Sequence, residues 1–452
     1  MTSLLQRFFN VRRDEVAPLL ASALFFFCVL TALMMLRPVR DALGMQRGIE
    51  AIRWLFIGTA VVTLAVNPLF GWLVSRFRRL VFISATYLFF GLSLVGFWAL
   101  ITFSPQAVGE TSGQVFFVWF SVFNLFSTMV FWALMADRFT LEQSKRLFGA
   151  IAVGGTLGAI AGPWLATVLA EPLGTPALLL VAALFLGFAI LAAWLVAYLQ
   201  PRPGTAQADA APAVDERAVI GGNAWEGITA VMRSPYLLGI SSYVLLMTVM
   251  ATFIYMTRLA MVAALGDTVD EQTRMFAQID LLTQVTTLVL QAVVTGHLMK
   301  RFGVAVALVL LPVVVSLGFL GLAMAGSFAV LIILDATFRA IQRAVTRPAR
   351  ETLFTVVNRE DKYKSKAVTD TFVYRTGDVL GAWTEGWLRA LGFALVGLAS
   401  VAIPLAAVWA VLGVWLGRRQ ELIARTQATR VATEPRLGPG PGAGSAPAPA
   451  RH

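Results

Sequence analysis

Residues 16–41 read VAPLLASALFFFCVLTALMMLRPVRD. From Val16 to Leu36 the run is almost wholly apolar, about long enough to cross a ~30 Å hydrocarbon core as a helix. It then meets Arg37, Arg40 and Asp41. An arginine at a bilayer centre costs roughly 2.5–3.5 kcal/mol on insertion scales. Two of them at the end of a span must snorkel to water, find a counter-charge or face a wet cavity. Which of these holds separates a transport protein from an inert scaffold.

The rest of the chain continues in the same manner. It has 452 residues, 58% hydrophobic and only 13% charged, a balance no soluble domain of this length keeps. Apolar runs long enough to span recur along it. In such a chain a net charge of +11 reads as loop charge on the cytoplasmic side, not as a nucleic-acid surface. Cys28 is the only cysteine, and the histidines are His297 and His452, so neither an internal disulfide nor a Cys- or His-based metal cluster is expected. No P-loop pattern is present, which leaves no ATPase engine within the chain. No cofactor is expected, and no nucleophile–base constellation suggests an enzyme.

Arg7, Arg12 and Arg13 give the basic start of a signal peptide, but the apolar run is too long and no small-residue cleavage site follows. The first span is therefore read as retained, with its N-terminus in the cytoplasm. Further spans are expected near 50–74, 80–103, 113–136, 147–170 and 176–199, then near 236–263, 274–297, 303–325, 328–346, 367–388 and 391–416. These define a six-helix bundle over 1–199, a cytoplasmic linker with an interfacial helix over 200–235, a second six-helix bundle over 236–417, and a tail over 418–452 whose Gly/Pro/Ala-rich end is expected to be disordered. The loops placed inside hold Arg76, Arg78 and Arg79, Lys145 and Arg146, Arg202 and Arg217, Lys300 and Arg301, and Lys362, Lys364 and Lys366. The opposite loops hold mainly acids, as the positive-inside rule requires for a multi-pass inner-membrane protein with both ends cytoplasmic. The loop after the first span breaks the rule with Arg37, Arg40, Arg47 and Arg53.

The two halves repeat. Gly71-Trp72-Leu73-Val74-Ser75-Arg76-Phe77 answers Gly296-His297-Leu298-Met299-Lys300-Arg301-Phe302, Gly154 to Ala159 answers Gly377 to Ala382, and Arg37 answers Arg258, all at nearly one offset. Six helices per repeat give both halves the same orientation. This is the two-bundle plan of the major facilitator superfamily, with a substrate site between the halves. The expected fold is thus all-α and polytopic, major facilitator-type, with twelve transmembrane helices in two pseudo-symmetric bundles. Gly154, Gly158 and Gly162 form a small-residue stripe, read as a packing surface against the other bundle.

Charges recur inside the later spans. Asp335, Arg339, Arg343, Arg347 and Glu351 stand at steps of four, each step drifting about 40° around an α-helix. The first three share one face, which should look onto the central cavity or its gate. Asp280, Gln284, Thr287 and Gln291 form a polar face in span eight, while the matching residues of span two are Leu55, Thr59, Val62 and Val66. Arg37, Arg40, Asp41, Arg258, Arg339, Arg375 and Asp378 are the candidate substrate residues. Asp280, Asp335, Arg343, Arg76, Lys145 and Lys300 are the candidates for coupling or gating. Asp280 and Asp378 suit either a proton carrier or a counter-ion for arginine.

Three stretches carry a family resemblance: Leu36-Arg37-x-x-Arg40-Asp41; Phe131-Trp132 leading to Glu142-x-x-Lys145-Arg146-x-Phe148; and Lys364-x-Lys366-Ala367-x-x-Asp370 followed by Arg375-x-Gly377. In these the chain resembles the nucleotide (ATP/ADP) transporter family, and within it the free-living bacterial NTP/NDP exchange branch. The resemblance implies nucleotide exchange without hydrolysis, with basic residues on the phosphates, and puts Arg40 in the place of the family's first-span cation. Asp378 departs from the family pattern, which favours lysine beside that glycine, and Asn124 is the nearest polar group to an acid the family carries in its fourth span. The expected function is secondary transport of a nucleotide or a related anionic solute by alternating access, in a monomer within the lipid bilayer, without nucleic-acid partners. The alternatives are a proton-coupled symporter of another organic anion or drug-like solute, and a non-transporting membrane sensor or assembly factor.

Overall fold

A computed structural model of the chain describes residues 11–76, 79–200, 224–293 and 295–433. The central linker and the end of the tail therefore lie outside the described residues. Helix α1 covers Val16–Gly44, α2 Ile49–Arg76, α3 Arg79–Phe103, α4 Gln106–Arg138, α5 Leu141–Leu173 and α6 Thr175–Leu199. A short helix, Ala224–Arg233, leads into α7 (Pro235–Leu265), α8 (Val269–Val293) and α9 (Thr295–Ala325), the last broken at Gly303 (φ 77°) so that its apolar span is Gly303–Ala325. Two helices are interrupted by π turns. Helix α10 runs Phe328–Ile341, a π turn Gln342–Thr346, then Arg347–Leu353. Helix α11 runs Arg359–Val368, a π turn Thr369–Val373, then Tyr374–Ala390. Helix α12 covers Leu395–Thr433, past the expected end of the second bundle.

Among the described residues, nine of the twelve helices carry an apolar window fit to span a membrane. The other three are α8, whose polar residues lower its hydropathy, and α10 and α11, which their π turns divide into segments shorter than 18 residues. With this alternation both described ends, Val11 and Thr433, lie on one face, here named the terminal face. The opposite face is the far face. Its hairpins turn tightly: Gly48, Gly174, Gly326 and Gly392 sit between successive helices with φ between 58° and 89°, a conformation glycine adopts without strain. Side chains cap the helix starts. Thr140 accepts from the Gln143 N–H while the Gln143 side chain accepts from the Thr140 N–H, and Ser234 precedes Pro235 at the first turn of α7.

Each bundle has its own core. In the first, α1 is the central helix, with Phe25 and Phe26 packed on Phe131. In the second, Tyr243 packs on Trp409 and donates to the Leu308 carbonyl, so its buried hydroxyl is satisfied. The glycine stripe corrects one expectation. It packs α5 against α1 of its own bundle, not against the other bundle. A Cβ on Gly162 would stand 2.6 Å from the Thr31 carbonyl oxygen and 2.8 Å from the Met35 nitrogen. In lipid, helices associate by van der Waals contact, and small residues let backbones approach this closely. The repeat reproduces the arrangement: Gly381 lets α11 approach Thr252 and Val249 of α7. The short Ala224–Arg233 helix also finds a protein partner, packing on Arg359–Val368 with Val231 buried and Met232 exposed.

The bundles meet toward the far face. An apolar seal joins Ala42, Met45, Ile52 and Phe117 of the first bundle to Met256, Leu259, Phe276 and Ile279 of the second. Polar ties surround it. Arg274 pairs with Glu171, the Thr175 N–H donates to Asp270 at 2.6 Å, and Arg53 lies 3.8 Å from Glu385, with Gly386 leaving room for its guanidinium. Two cations that break the charge rule thereby gain acids, Arg53 beside Glu385 and Arg47 3.6 Å from Glu110. The other two lie inside α1, which does not end at Leu36 but continues through Pro38 to Gly44.

Candidate functional site

Helix α1 carries its charges deep into the protein because each finds company there. Asp41 is fully buried and accepts from Arg40 Nε at 2.8 Å, from the Tyr255 hydroxyl at 3.0 Å and from Arg258 Nη2 at 2.8 Å. Arg258 is 1% exposed and reaches across from the second bundle. Its other amine, Nη1, lies 3.5 Å from both Asp280 and Asp335. Arg339 completes the ring, donating to Asp335 at 2.7 Å and to Asp280. Four helices of both repeats, α1, α7, α8 and α10, are thus joined through three buried carboxylates. Isolated charges at such depth would be prohibitive, whereas paired and hydrogen-bonded ones are tolerated.

Not every cation is so firmly held. Arg37 Nε lies 3.8 Å from Asp280 and makes no hydrogen bond. Arg343 donates to Gln284 at 2.8 Å, a neutral partner. Arg347 has no ion-pair partner among the described residues. These three line a cavity of about 540 Å³ that runs from Arg37 and Arg339 toward the terminal face. Its cations are Arg37, Arg339, Arg343, Arg347, Arg350 and Lys366, against the carboxylates of Glu351 and Asp370. Both carboxylates are already engaged: Asp370 lies 3.1 Å from Arg350, and Glu351 pairs with Lys366.

The π turn explains how α10 lines this vestibule along its length. On a continuous α-helix, steps of four from Asp335 to Glu351 drift about 160° in all. The wider turn at 342–346 accommodates an extra residue and turns the helix back, so Arg339, Arg343, Arg347 and Glu351 all reach the cavity. The second π turn, 369–373, lies on α11 beside the same space. Such insertions recur at functional sites.

A second cavity of about 240 Å³ lies deeper and shares Arg37, Arg339, Gln342 and Tyr374 with the vestibule. Phe56, Phe117, Tyr255 and Phe338 contribute its aromatic walls. Arg40, Arg258, Arg375 and Asp378 also line it, with Arg375 3.3 Å from Asp378. The geometry therefore gathers Arg37, Arg40, Arg258, Arg339, Arg375 and Asp378 around two connected spaces, with Asp41 behind them as a buried counter-ion. Asp280 and Asp335 hold the arginine ring, and Arg343 stands in the vestibule wall. The polar face of α8 turns partly aside: Gln284, Thr287 and Gln291 border a gap of about 260 Å³ against Phe26 and Gly155. The side chains of Arg76, Lys145 and Lys300 lie outside the described residues. The sequence reading missed the aromatic walls, since a chain with 32 phenylalanines gives no signal that separates these from core or lipid-facing rings. It also left Gln342 and Thr346 unremarked, although both follow from the π turn.

Comparison with known proteins agrees with this architecture. The Major Facilitator Superfamily family model matches residues 19–342. The chain belongs to the major facilitator superfamily. As a member it is a multi-pass membrane transporter of small solutes and not an enzyme. Solved structures of the superfamily superpose over nearly the whole chain. The nucleoside transporter NupG gives a TM-score of 0.59 at 12% identity, covering 90% of this chain and 98% of that one. A bacterial homologue of the human lysosomal transporter Spinster, in an inward-facing and unoccupied conformation, gives 0.53 at 15%, with coverage of 93% and 98%. The POT family transporter PepTSo gives 0.55 at 14%, with coverage of 91% and 98%. At these identities the likeness is one of fold. A search of curated protein sequences returns no match.

Proposed function

We propose that this major facilitator exchanges a polyvalent organic anion of the nucleotide type across the inner membrane by alternating access. One observation carries the reading: among the described residues Arg343 and Arg347 have no carboxylate partner, and Arg37 only shares Asp280 at 3.8 Å. A ligand that neutralises them brings two or three negative charges, as a nucleoside diphosphate does. Guanidinium groups match phosphate oxygens in paired, charge-assisted hydrogen bonds. The family resemblance at Arg37, Arg40, Lys364 and Arg375 points the same way. The lysines and the inner arginines support a terminal face that is cytoplasmic. The seal at Ile52, Phe117 and Phe276 then makes this the inward-open arrangement. A sensor without transport would fit an interior whose charges are all matched, and this vestibule is not of that kind.

The test is uptake of labelled ATP by proteoliposomes that are empty or loaded with ADP. Uptake confined to loaded vesicles supports exchange. Uptake into empty vesicles that collapses with the pH gradient assigns proton symport, with Asp280, Asp335 and Asp378 as candidate carriers. No uptake with any loaded nucleotide rejects the nucleotide reading.

A further inference from the structure

We infer that the deeper cavity is a ring pocket, which takes the planar, hydrogen-bond-donating ring of an amphipathic anion whose charged tail lies in the vestibule. The inference rests on the anion-exchange reading and adds the other half of the ligand. At about 240 Å³ the deeper cavity falls below the ~300 Å³ at which sites begin to enclose a whole small molecule. It holds a fragment, and the 540 Å³ vestibule beyond the waist at Arg37 and Arg339 holds the remainder.

Its chemistry differs from that of the vestibule. Phe56 and Phe117 from one bundle face Tyr255 and Phe338 from the other, with Phe56 edge-on to Tyr255 at 5.7 Å. Rings so placed accept a further ring by stacking or edge contact. Beyond Arg37 at the waist, the cations here are already engaged. Arg40 pairs with Asp41 and lies over the Phe117 ring at 4.8 Å and the Phe120 ring at 5.1 Å, and Arg375 is matched by Asp378. Phosphate therefore gains less here than at Arg343 and Arg347. Two polar groups remain to be answered. Thr59 is 5% exposed, lines the cavity, and its hydroxyl has no hydrogen-bond partner. Asp378, as a carboxylate, only accepts, and has capacity beyond the bond from Arg375. A ring with N–H donors satisfies Asp378, and any ring heteroatom satisfies Thr59. The anion that disfavours a phosphate thus becomes a selectivity group once it faces the ring instead.

The test is isothermal titration of the full-length protein in detergent with three probes: pyrophosphate, ADP, and purine riboside 5′-diphosphate, whose ring lacks the exocyclic amine. The expected order is ADP tightest, at least about tenfold ahead of pyrophosphate, with the purine riboside compound about tenfold behind ADP, as for one lost charged hydrogen bond. Asp378→Leu, which keeps the approximate size but has no acceptor, should remove that last difference. Thr59→Val, which keeps the shape, should weaken ADP and leave pyrophosphate unchanged; it decides the matter if the Asp378 variant does not fold. Pyrophosphate binding as tightly as ADP, with both variants silent, overturns the ring pocket and leaves the anion reading standing. Binding of none of the three removes the anion reading and the ring pocket with it.

Discussion

Asp41→Asn is the sharpest perturbation the structure offers. The side chain keeps its shape and one carbonyl oxygen, so what is lost is the charge that holds Arg40 and Arg258 together. Arg258 crosses from the other bundle and is 1% exposed, so water cannot replace the missing carboxylate. Removing one member of a buried ion pair costs about 3–5 kcal/mol. The amide oxygen still accepts, and Arg258 keeps Asp280 and Asp335 at 3.5 Å, so the low end, ~3 kcal/mol, applies. That is about 100-fold in an equilibrium at 1.4 kcal/mol per decade. Conformations of one protein commonly differ by a few kcal/mol, so the shift should open the far face in a large share of molecules. Spin labels at Thr102 and Ala394, exposed on opposite bundles, report it in a background where Cys28 is replaced by Ala. The variant should show a longer distance population and a lower Tm. Adding Arg258→Met should restore part of the Tm, because one of the two cations that depended on Asp41 is then removed and only Arg40, which rests on the Phe117 and Phe120 rings, is left without it. An unchanged distance distribution together with an unchanged Tm would refute the view that this tie joins the bundles.

Three further outcomes follow from other parts of the molecule. Replacing Arg343 and Arg347 together by Ala should weaken ADP binding by about tenfold or more per lost charged hydrogen bond while leaving Tm nearly constant, since neither holds a carboxylate; titration and thermal unfolding read the two effects separately. Gly162→Ala drives a methyl into the α1 backbone and should cost roughly 1–3 kcal/mol in unfolding assays. Gly187→Ala meets nothing within 4 Å and serves as the neutral control. Glu15 stands just outside α1; burial would raise its carboxyl, but hydrogen bonds from Arg146, the Arg12 N–H and Gln143 hold it below its ordinary 4.5. A lowered carboxylate stabilises fully above its unfolded value, and the contribution disappears as pH falls through the folded one. Wild type should therefore lose more Tm than Glu15→Gln between pH 6 and pH 3, and parallel curves would show that this tie contributes nothing.

Hydropathy made the spans legible, and the repeat agreed with their count. Helix α8 falls short of an apolar window because Asp280, Gln284 and Gln291 stand in it, and α10 and α11 because their π turns cut them into segments shorter than 18 residues. The sequence reading placed them as spans near 274–297, 328–346 and 367–388, and for the first and last of these the matches of Gly296 to Gly71 and of Gly377 to Gly154 agree. The end of α1 was misplaced because a hydropathy scale treats Arg37 and Arg40 as solvated, and it cannot register a buried Asp41 waiting beside them. The glycine stripe was recognised as a close contact, but spacing alone does not say which helix approaches. The charges of the site were visible as a series, and their joint function was not. Five charged residues at steps of four cannot share one face of a regular α-helix, so the series itself contained the mark of a π turn. The aromatic walls left no such mark, since Phe56 and Phe117 become special only when Tyr255 of the other bundle comes opposite them.

The π turns at 342–346 and 369–373 also bear on how the vestibule shuts. A helix is stiff where its hydrogen bonds run in register, and it yields where they change register. Helices α10 and α11 each have such a joint partway along the wall, between the arginine ring and the terminal face. Helix α1, locked to α5 backbone against backbone, has no π turn, and its internal proline, Pro38, lies beyond Arg37 toward the far face. Closure is then expected to be lopsided, with the first bundle as the anvil and the tips of α10 and α11, carrying Arg347, Arg350 and Lys366, as the jaw that bends onto it.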